Sequence, residues 1–113
     1  MQIDLFESKD LIRGETREKG IMIWRPDGAQ FAVTSATYQT FKSDGTPIMQ
    51  IPATATIEYG THPSDDALPE AERRFAAMIH AGVPADETGQ QYVEFTYTVG
   101  SLTLKARHKY RVV

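Results

Sequence analysis

The sequence predicts an all-β domain, an antiparallel β-sandwich of about six or seven strands, and three observations carry that prediction. Residues 92–99 and 102–112 alternate with period two on either side of a Gly100-Ser101 interruption. β-Branched and aromatic residues fill the segments 30–41 and 53–59. Turn-forming clusters, Pro26-Asp27-Gly28 and Ser43-Asp44-Gly45-Thr46, separate the candidate strands.

The terminal hairpin is the most fully specified element. Glycine followed by a small polar residue suits a two-residue II′ turn. A turn at Gly100-Ser101 pairs Val99 with Leu102, Tyr97 with Leu104, Phe95 with Ala106 and Val93 with His108. Those pairs share one mostly apolar face, whereas Thr98–Thr103, Thr96–Lys105, Glu94–Arg107 and Tyr92–Lys109 share the other. A slip of one residue would send the apolar set to solvent, so the register is strongly specified. The expected core face is Val93, Phe95, Tyr97, Val99, Leu102 and Leu104.

Upstream, residues 1–9 are mixed in character and read as an N-terminal arm, loose or paired with a partner, ahead of a single domain over residues 10–113. Residues 11–24 read as an edge-like strand with Ile21 and Ile23 on one side and Met22 and Trp24 on the other. Gly14 and Gly20 mark expected bends or bulges within it. Residues 30–41 form the next strand. Phe31 and Val33 are out of phase there with Ala36 and Tyr38, which predicts a bulge near Ser35. A further strand is expected over residues 53–59.

Residues 62–89 support two readings. Pro69, then Glu70 and Glu72, then Gly82 supply helix start and stop signals, and a short helix within residues 66–82 is one outcome. Read with period two, Phe75, Ala77, Ile79 and Ala81 share a face opposite Arg74, Ala76, Met78 and His80. The all-β surroundings select a strand over residues 73–81. The chain has no internal repeat and no low-complexity tract.

At 113 residues the chain is long enough to bury a core without staples. It has no cysteine, which excludes disulfides and thiolate metal sites and permits a reducing compartment. With 12 basic and 15 acidic residues the net charge is −3, against the basic excess usual in a dedicated nucleic-acid binder. No apolar run approaches a membrane span. Asp4, Glu7, Lys9 and Asp10 break up any signal-peptide core, so a soluble, unexported domain of the cytoplasm is expected.

No chemical constellation stands out. His62 with Asp65 and Asp66 lacks the ligand number and the bend glycine of a metal loop, and reads as a solvated loop. His108 falls on the inward face as a core or rim histidine, and His80 has no local carboxylate or nucleophile. Serines 8, 35, 43, 64 and 101 lack a Gly-x-Ser-x-Gly elbow, and no glycine-rich phosphate loop is present. Neither catalysis, nor a metal, nor a cofactor, nor a small-molecule substrate is expected.

Surface candidates remain. Lys105, Arg107, Lys109 and Arg111 recur every second residue, so their side chains emerge on one side roughly 7 Å apart. Such a row can follow a phosphate backbone with Tyr92 stacking beside it. It can equally be a solvated face that deters edge-to-edge aggregation, the more so with Glu94 opposite Arg107. Trp24 is either a core-rim residue or a binding anchor. Trp24, Tyr59 and Tyr92 together are the candidates for a carbohydrate-stacking platform.

The run Leu11-Ile12-Arg13-Gly14-Glu15-Thr16, with Asp27-Gly28, Ser35-Ala36-Thr37-Tyr38-Gln39 and Asp44-Gly45, resembles the opening of small immunoglobulin-like domains of tailed bacteriophages and prophages. The N-terminal domains of baseplate upper proteins are the nearest of these. Residues 92–100 with Leu104-Lys105 resemble the closing hairpin of the same sandwiches, and between residues 60 and 89 the likeness fades. The resemblance implies an immunoglobulin-like, non-catalytic structural or interaction module. Its place would be a virion, tail or baseplate, and its partners other phage structural proteins or copies of itself. The expected contact elements are the strand from Ile12 to Trp24 and the outer face of the last hairpin.

Overall fold

The computed structural model describes residues 1–6 and 10–113, and it is an all-β sandwich of two four-stranded antiparallel sheets. The strands are β1 (Gln2–Phe6), β2 (Thr16–Trp24), β3 (Val33–Lys42), β4 (Ala53–Thr54), β5 (Thr56–Thr61), β6 (Phe75–Pro84), β7 (Gly89–Val99) and β8 (Leu102–Val112). The first sheet has the order β1-β2-β6-β5 and the second β4-β3-β7-β8. In immunoglobulin terms the first is the ABED sheet, and β3-β7-β8 is the CFG sheet with β4 added beside its first strand.

The hairpin register is the one derived from period and turn: Val99 faces Leu102, Phe95 faces Ala106 and Glu94 faces Arg107. Gly100 takes φ +60, the left-handed conformation that such a turn requires of its first residue. Val93, Phe95 and Tyr97 are fully buried. Leu102 departs from expectation, being 61% exposed. It is on the inward face but at the end of the sandwich, where the opposite sheet no longer covers it.

The predicted bulge in β3 is present as a register shift between Val33 and Ser35, and it returns Ala36 to the core that Val33 also faces. The backbone of Val33 finds its partner in the Tyr59 hydroxyl, which accepts from the Val33 N–H (2.9 Å) and reaches the Val33 carbonyl (3.3 Å). The segment with two readings is a strand: β6 buries Ala77, Ile79, Ala81 and Val83 on one face, as period two requires. Helical structure before it is limited to two 3-10 turns, Pro63–Asp65 and Glu70–Glu72. Gly82, a helix stop by its sequence context, pairs with Glu18 inside the sheet.

Three expectations are corrected. The N-terminal arm forms β1, with Ile3 opposite Ile23 and Leu5 opposite Ile21. Its alternating Ile3 and Leu5 extend the apolar face of β2, so pairing within the chain satisfies both backbone and side chains; residues 7–9, with Ser8, lie outside the described residues. β2 is consequently an interior strand, and Gly20 sits in unbroken register between Phe6 and His80 without a bulge. The strand expected over residues 53–59 is divided: β4 pairs with β3, and after Ala55 the chain joins the other sheet as β5 against β6. Gly14 does mark a bend, at φ +94.

The core lies between the sheets, with Ile21, Ile23 and Ile79 against Val93, Phe95 and Tyr97. Leu11, wholly buried, closes one end. Lys19 is also wholly buried on the inner face, its ammonium 5.6 Å from the centre of the Tyr110 ring. The Tyr110 hydroxyl has no hydrogen-bond partner among the described residues, and burial pushes its pKa up to about 12.

Replacing Phe95 with Ala is expected to cost about 3–5 kcal/mol in urea denaturation. Leu102→Ala, at the exposed end of the same face, is expected to cost under about 1 kcal/mol. Equal losses would contradict the burial gradient along the hairpin. Tyr110→Phe removes a buried hydroxyl that holds no bond among the described residues, and the unfolding free energy is expected to stay level or to rise by up to about 1 kcal/mol; a clear fall would show that the hydroxyl is satisfied.

Candidate interaction surfaces

Four regions of the surface carry the residues singled out by the sequence, and the fold separates them. On the outer face of the second sheet, Lys105, Arg107, Lys109 and Arg111 all project into solvent from β8. Glu94, on the adjacent β7, lies 3.4 Å from Lys105 Nζ and 3.0 Å from Arg107 Nε. Arg111 Nη2 contacts Asp10 at 2.7 Å. The Glu94 side chain is only 12% exposed, so this carboxylate serves its two cations with limited screening by water. It holds the Arg107 guanidinium further above its usual range.

Tyr92 cannot act as a free stacking platform. One side of its ring stacks on Phe41, with centroids 5.1 Å apart and planes at 20°, and the Arg107 guanidinium lies 4.7 Å from its centroid. Tyr92 is accordingly 8% exposed. A neighbour of the basic row by sequence, it is in the fold the surface on which that row rests.

Trp24 points to the outer face of the first sheet, where it is half-buried by the segment between β5 and β6. His62 packs edge-on against its ring at 4.6 Å, and Arg74 lies 5.8 Å from the ring centre. Asp65 organises this corner: its carboxylate accepts from the Arg74 backbone N–H (2.8 Å), Arg74 Nε (2.9 Å) and Arg74 Nη2 (2.9 Å). The Arg74 side chain, followed by its backbone N–H, lowers the Asp65 carboxyl from 3.8 to about 2. His62 Nδ1 accepts from the Ser64 N–H (3.1 Å), which turns Nε2 toward Asp4 Oδ2 at 3.6 Å. The His62 side chain is 7% exposed under Trp24. His62 and Asp4 thus bring β1 close to the segment between β5 and β6.

A second imidazole on the same face stands between carboxylates from neighbouring strands: His80 Nδ1 is bonded to Glu18, and Nε2 lies 3.4 Å from Glu58. Sequence reading missed both carboxylates, because they reach His80 across strand pairings and not along the chain. His108 is buried on the inner face, as expected. Tyr59 stacks on Phe75 at 5.5 Å with its hydroxyl tied to Val33, and it is 51% exposed.

The fourth region is the flank where β1 and β8 run as the outermost strands of their sheets. Residues 11–13 cover the far end of β8. Leu11 N–H donates to the Arg111 carbonyl (2.9 Å), Arg13 N–H to the Val113 carbonyl (3.0 Å), and Val113 N–H to the Leu11 carbonyl (2.8 Å). Toward the hairpin turn the flank stays open as a cleft of about 540 Å³, lined by Met1, Ile3, Arg25, Pro26, Tyr97, Val99, Leu102, Leu104 and Lys105. Ile3 is 38% exposed and Leu5 51%. Ile12 is 61% exposed beside the covered end, with its N–H held by Glu15. No group of three or more His, Asp or Glu among the described residues is placed to hold a metal ion, and no helix there is long and apolar enough to cross a membrane.

No protein family and no curated protein matches the chain. Among solved structures, a family 123 glycoside hydrolase from Clostridium perfringens, solved for the details of glycolipid glycan hydrolysis, is similar at 12% identity with a TM-score of 0.45. That likeness covers 95% of this chain and 22% of the enzyme chain, so the chain spans under a quarter of the enzyme's length.

The Asp65–Arg74 linkage carries a pH prediction. Because folding lowers this carboxyl, its contribution to stability is complete above about pH 4 and drains away as the pH falls toward about 2. The wild-type melting temperature is expected to drop across that window. That of Asp65→Asn is expected to be lower near neutrality and to change less between the two pH values. Parallel curves would remove Asp65 as an acid-labile group.

Proposed function

We propose that the chain is a non-catalytic β-sandwich module that makes protein–protein contacts, of the kind found in phage or prophage virions, tails or baseplates. The observation that carries this reading is the open β1–β8 flank. There, strand edges and the partly exposed side chains of Met1, Ile3 and Leu102 lie together around one cleft. A strand or loop added along such an edge gains main-chain hydrogen bonds without demanding particular side chains, and the apolar residues supply the burial. Asp4 on β1 and Lys105 on β8 place charges at the flank, a device that suppresses indiscriminate edge pairing.

The contact elements differ from those the sequence suggested. β2 has strands on both sides and offers no free edge, so the first contact element moves from residues 12–24 to β1. The outer face of the hairpin contributes less as a phosphate-backbone track, since Lys105, Arg107 and Arg111 already face carboxylates. The phage assignment rests on the resemblance of residues 11–16 and 92–100 to virion sandwiches.

Sedimentation velocity over rising protein concentration, paired with retention of virion proteins on the immobilised chain, tests the reading. Self-association or retention of a virion structural protein is expected, and both are expected to be lost in Ile3→Lys and in Leu102→Lys. Lys109→Gln, outside the cleft, is expected to keep them. A monomer at every concentration that also retains no virion protein would overturn the proposal, and so would reading frames for metabolic enzymes on both sides of the gene.

A further inference from the structure

The far end of the hairpin's outer face carries a second depression whose charge differs from that of its surroundings. It measures about 380 Å³ and is lined by Ser43, Gln90, Gln91, Tyr92, Arg107 and Lys109. Cations and neutral hydrogen-bonding groups form this lining, and no carboxylate is among them. Lys42 and Glu87, which stand close by in the chain, are taken up with each other at 3.5 Å. Lys105, Arg107 and Arg111 each face an acid, whereas Lys109 has no ion-pair partner among the described residues.

The walls are fixed before any ligand arrives. Arg107 is held between Glu94, which takes its Nε hydrogen, and the Tyr92 ring beneath it. The hydrogen bonds among the described residues leave the terminal amino groups of this guanidinium unused. Tyr92 is in turn stacked on Phe41. Ser43 opens a tight turn closed by Gly45 N–H to the Lys42 carbonyl (2.9 Å) and Lys42 N–H to the Thr46 carbonyl (2.8 Å), and its own N–H is bonded to the Gln90 carbonyl (3.1 Å). Asp44, the acid of that turn, accepts from the Thr46 N–H within the turn and is outside the pocket lining. A preorganised guanidinium beside a compact ammonium, with neutral donors around them, suits a group that presents several oxygens in different directions.

We propose that this pocket binds an oxyanion of the phosphate or sulfate class, with Lys109 and Arg107 supplying charge and Ser43 and Gln90 supplying neutral donors. The site is on a different face from the β1–β8 flank and uses other residues, apart from the shared strand β8. Either proposal can fail while the other stands.

The test is an amide NMR titration with inorganic phosphate at constant ionic strength, chloride making up the balance. Saturable shifts are expected at Ser43, Gln90, Tyr92 and Lys109. Lys109→Gln is expected to weaken binding about tenfold, the loss of one charged hydrogen bond, and Arg107→Gln at least as much. Lys105→Gln, on the same row outside the pocket, is expected to leave affinity unchanged. Both Lys105 and Lys109 are exposed, so these variants keep the fold. Absence of saturation, or equal losses in Lys105→Gln and Lys109→Gln, would overturn the proposal in favour of diffuse surface charge. A sulfate arm and a phosphorylated-peptide arm identify the source: displacement of inorganic phosphate by either supports the pocket. A single-stranded oligonucleotide that draws equally on Lys105, Arg107, Lys109 and Arg111, with steep salt dependence, would overturn it by showing a backbone track.

Discussion

Closing the two flanks of the sandwich is the constraint on which the remaining structure depends. Two separate four-stranded sheets have edges that the chain must join, cover or leave open. On one flank the chain joins them itself: β4 pairs in the second sheet, and Ala55 donates its N–H to Ala36 before β5 pairs in the first. Tyr59 then fastens β5 to the bulged backbone of Val33. The bulge is tolerable because that hydroxyl satisfies the backbone groups it disturbs. On the other flank, residues 11–13 bond to the last residues of β8 and reach no farther along it. Among the described residues coverage therefore ends partway, and the apolar residues toward the hairpin turn remain at the surface. The cleft between β1 and β8 follows from this incomplete closure.

How much can be read from the sequence follows from the range of the interactions involved. The terminal hairpin is legible down to its register because a two-residue turn makes the pairing local, and both faces have to agree with it. The β3 bulge is legible because apolar residues that change phase within one strand can face one core only if an extra residue is inserted between them. β6 is recoverable once its alanines are read with period two, despite the helix signals at Pro69 and Gly82. The identity of β1 is not legible: its evidence is the match of Ile3 with Ile23 and Leu5 with Ile21, a pairing settled in space. Period likewise says nothing of which sheet a strand joins, so the switch at Ala55 leaves no mark that alternation can reveal.

The same division applies to the surface residues. Glu94 beside Arg107 is visible in the sequence, since cross-strand partners follow from register. The cover that Phe41 places over Tyr92 is not, because it depends on β3 pairing with β7. Along the chain His62 groups with Asp65 and Asp66 as a loop cluster. In the fold Asp65 turns to Arg74, and the carboxylate facing His62 is Asp4 from β1. In the His62 and His80 corners the imidazoles stand beside carboxylates brought to them by neighbouring strands.

In the basic row of β8 three of the four cations meet an acid, which makes the fourth informative. Along the hairpin the unsatisfied groups fall at opposite ends. Near the turn, Leu102 and Leu104 face the partly exposed apolar residues of β1, and burial is the interaction left unsatisfied. Near Gln90, Lys109 stands beside Arg107 without an acid of its own among the described residues, and charge is left uncompensated. Modest salt screens a cation pair directly and alters apolar burial far less, burial responding mainly to high concentrations of kosmotropic salts. One hairpin thus carries contacts of two physical kinds, separated along the strands by its own register. Ionic strength can act on the charged end without disturbing the apolar one.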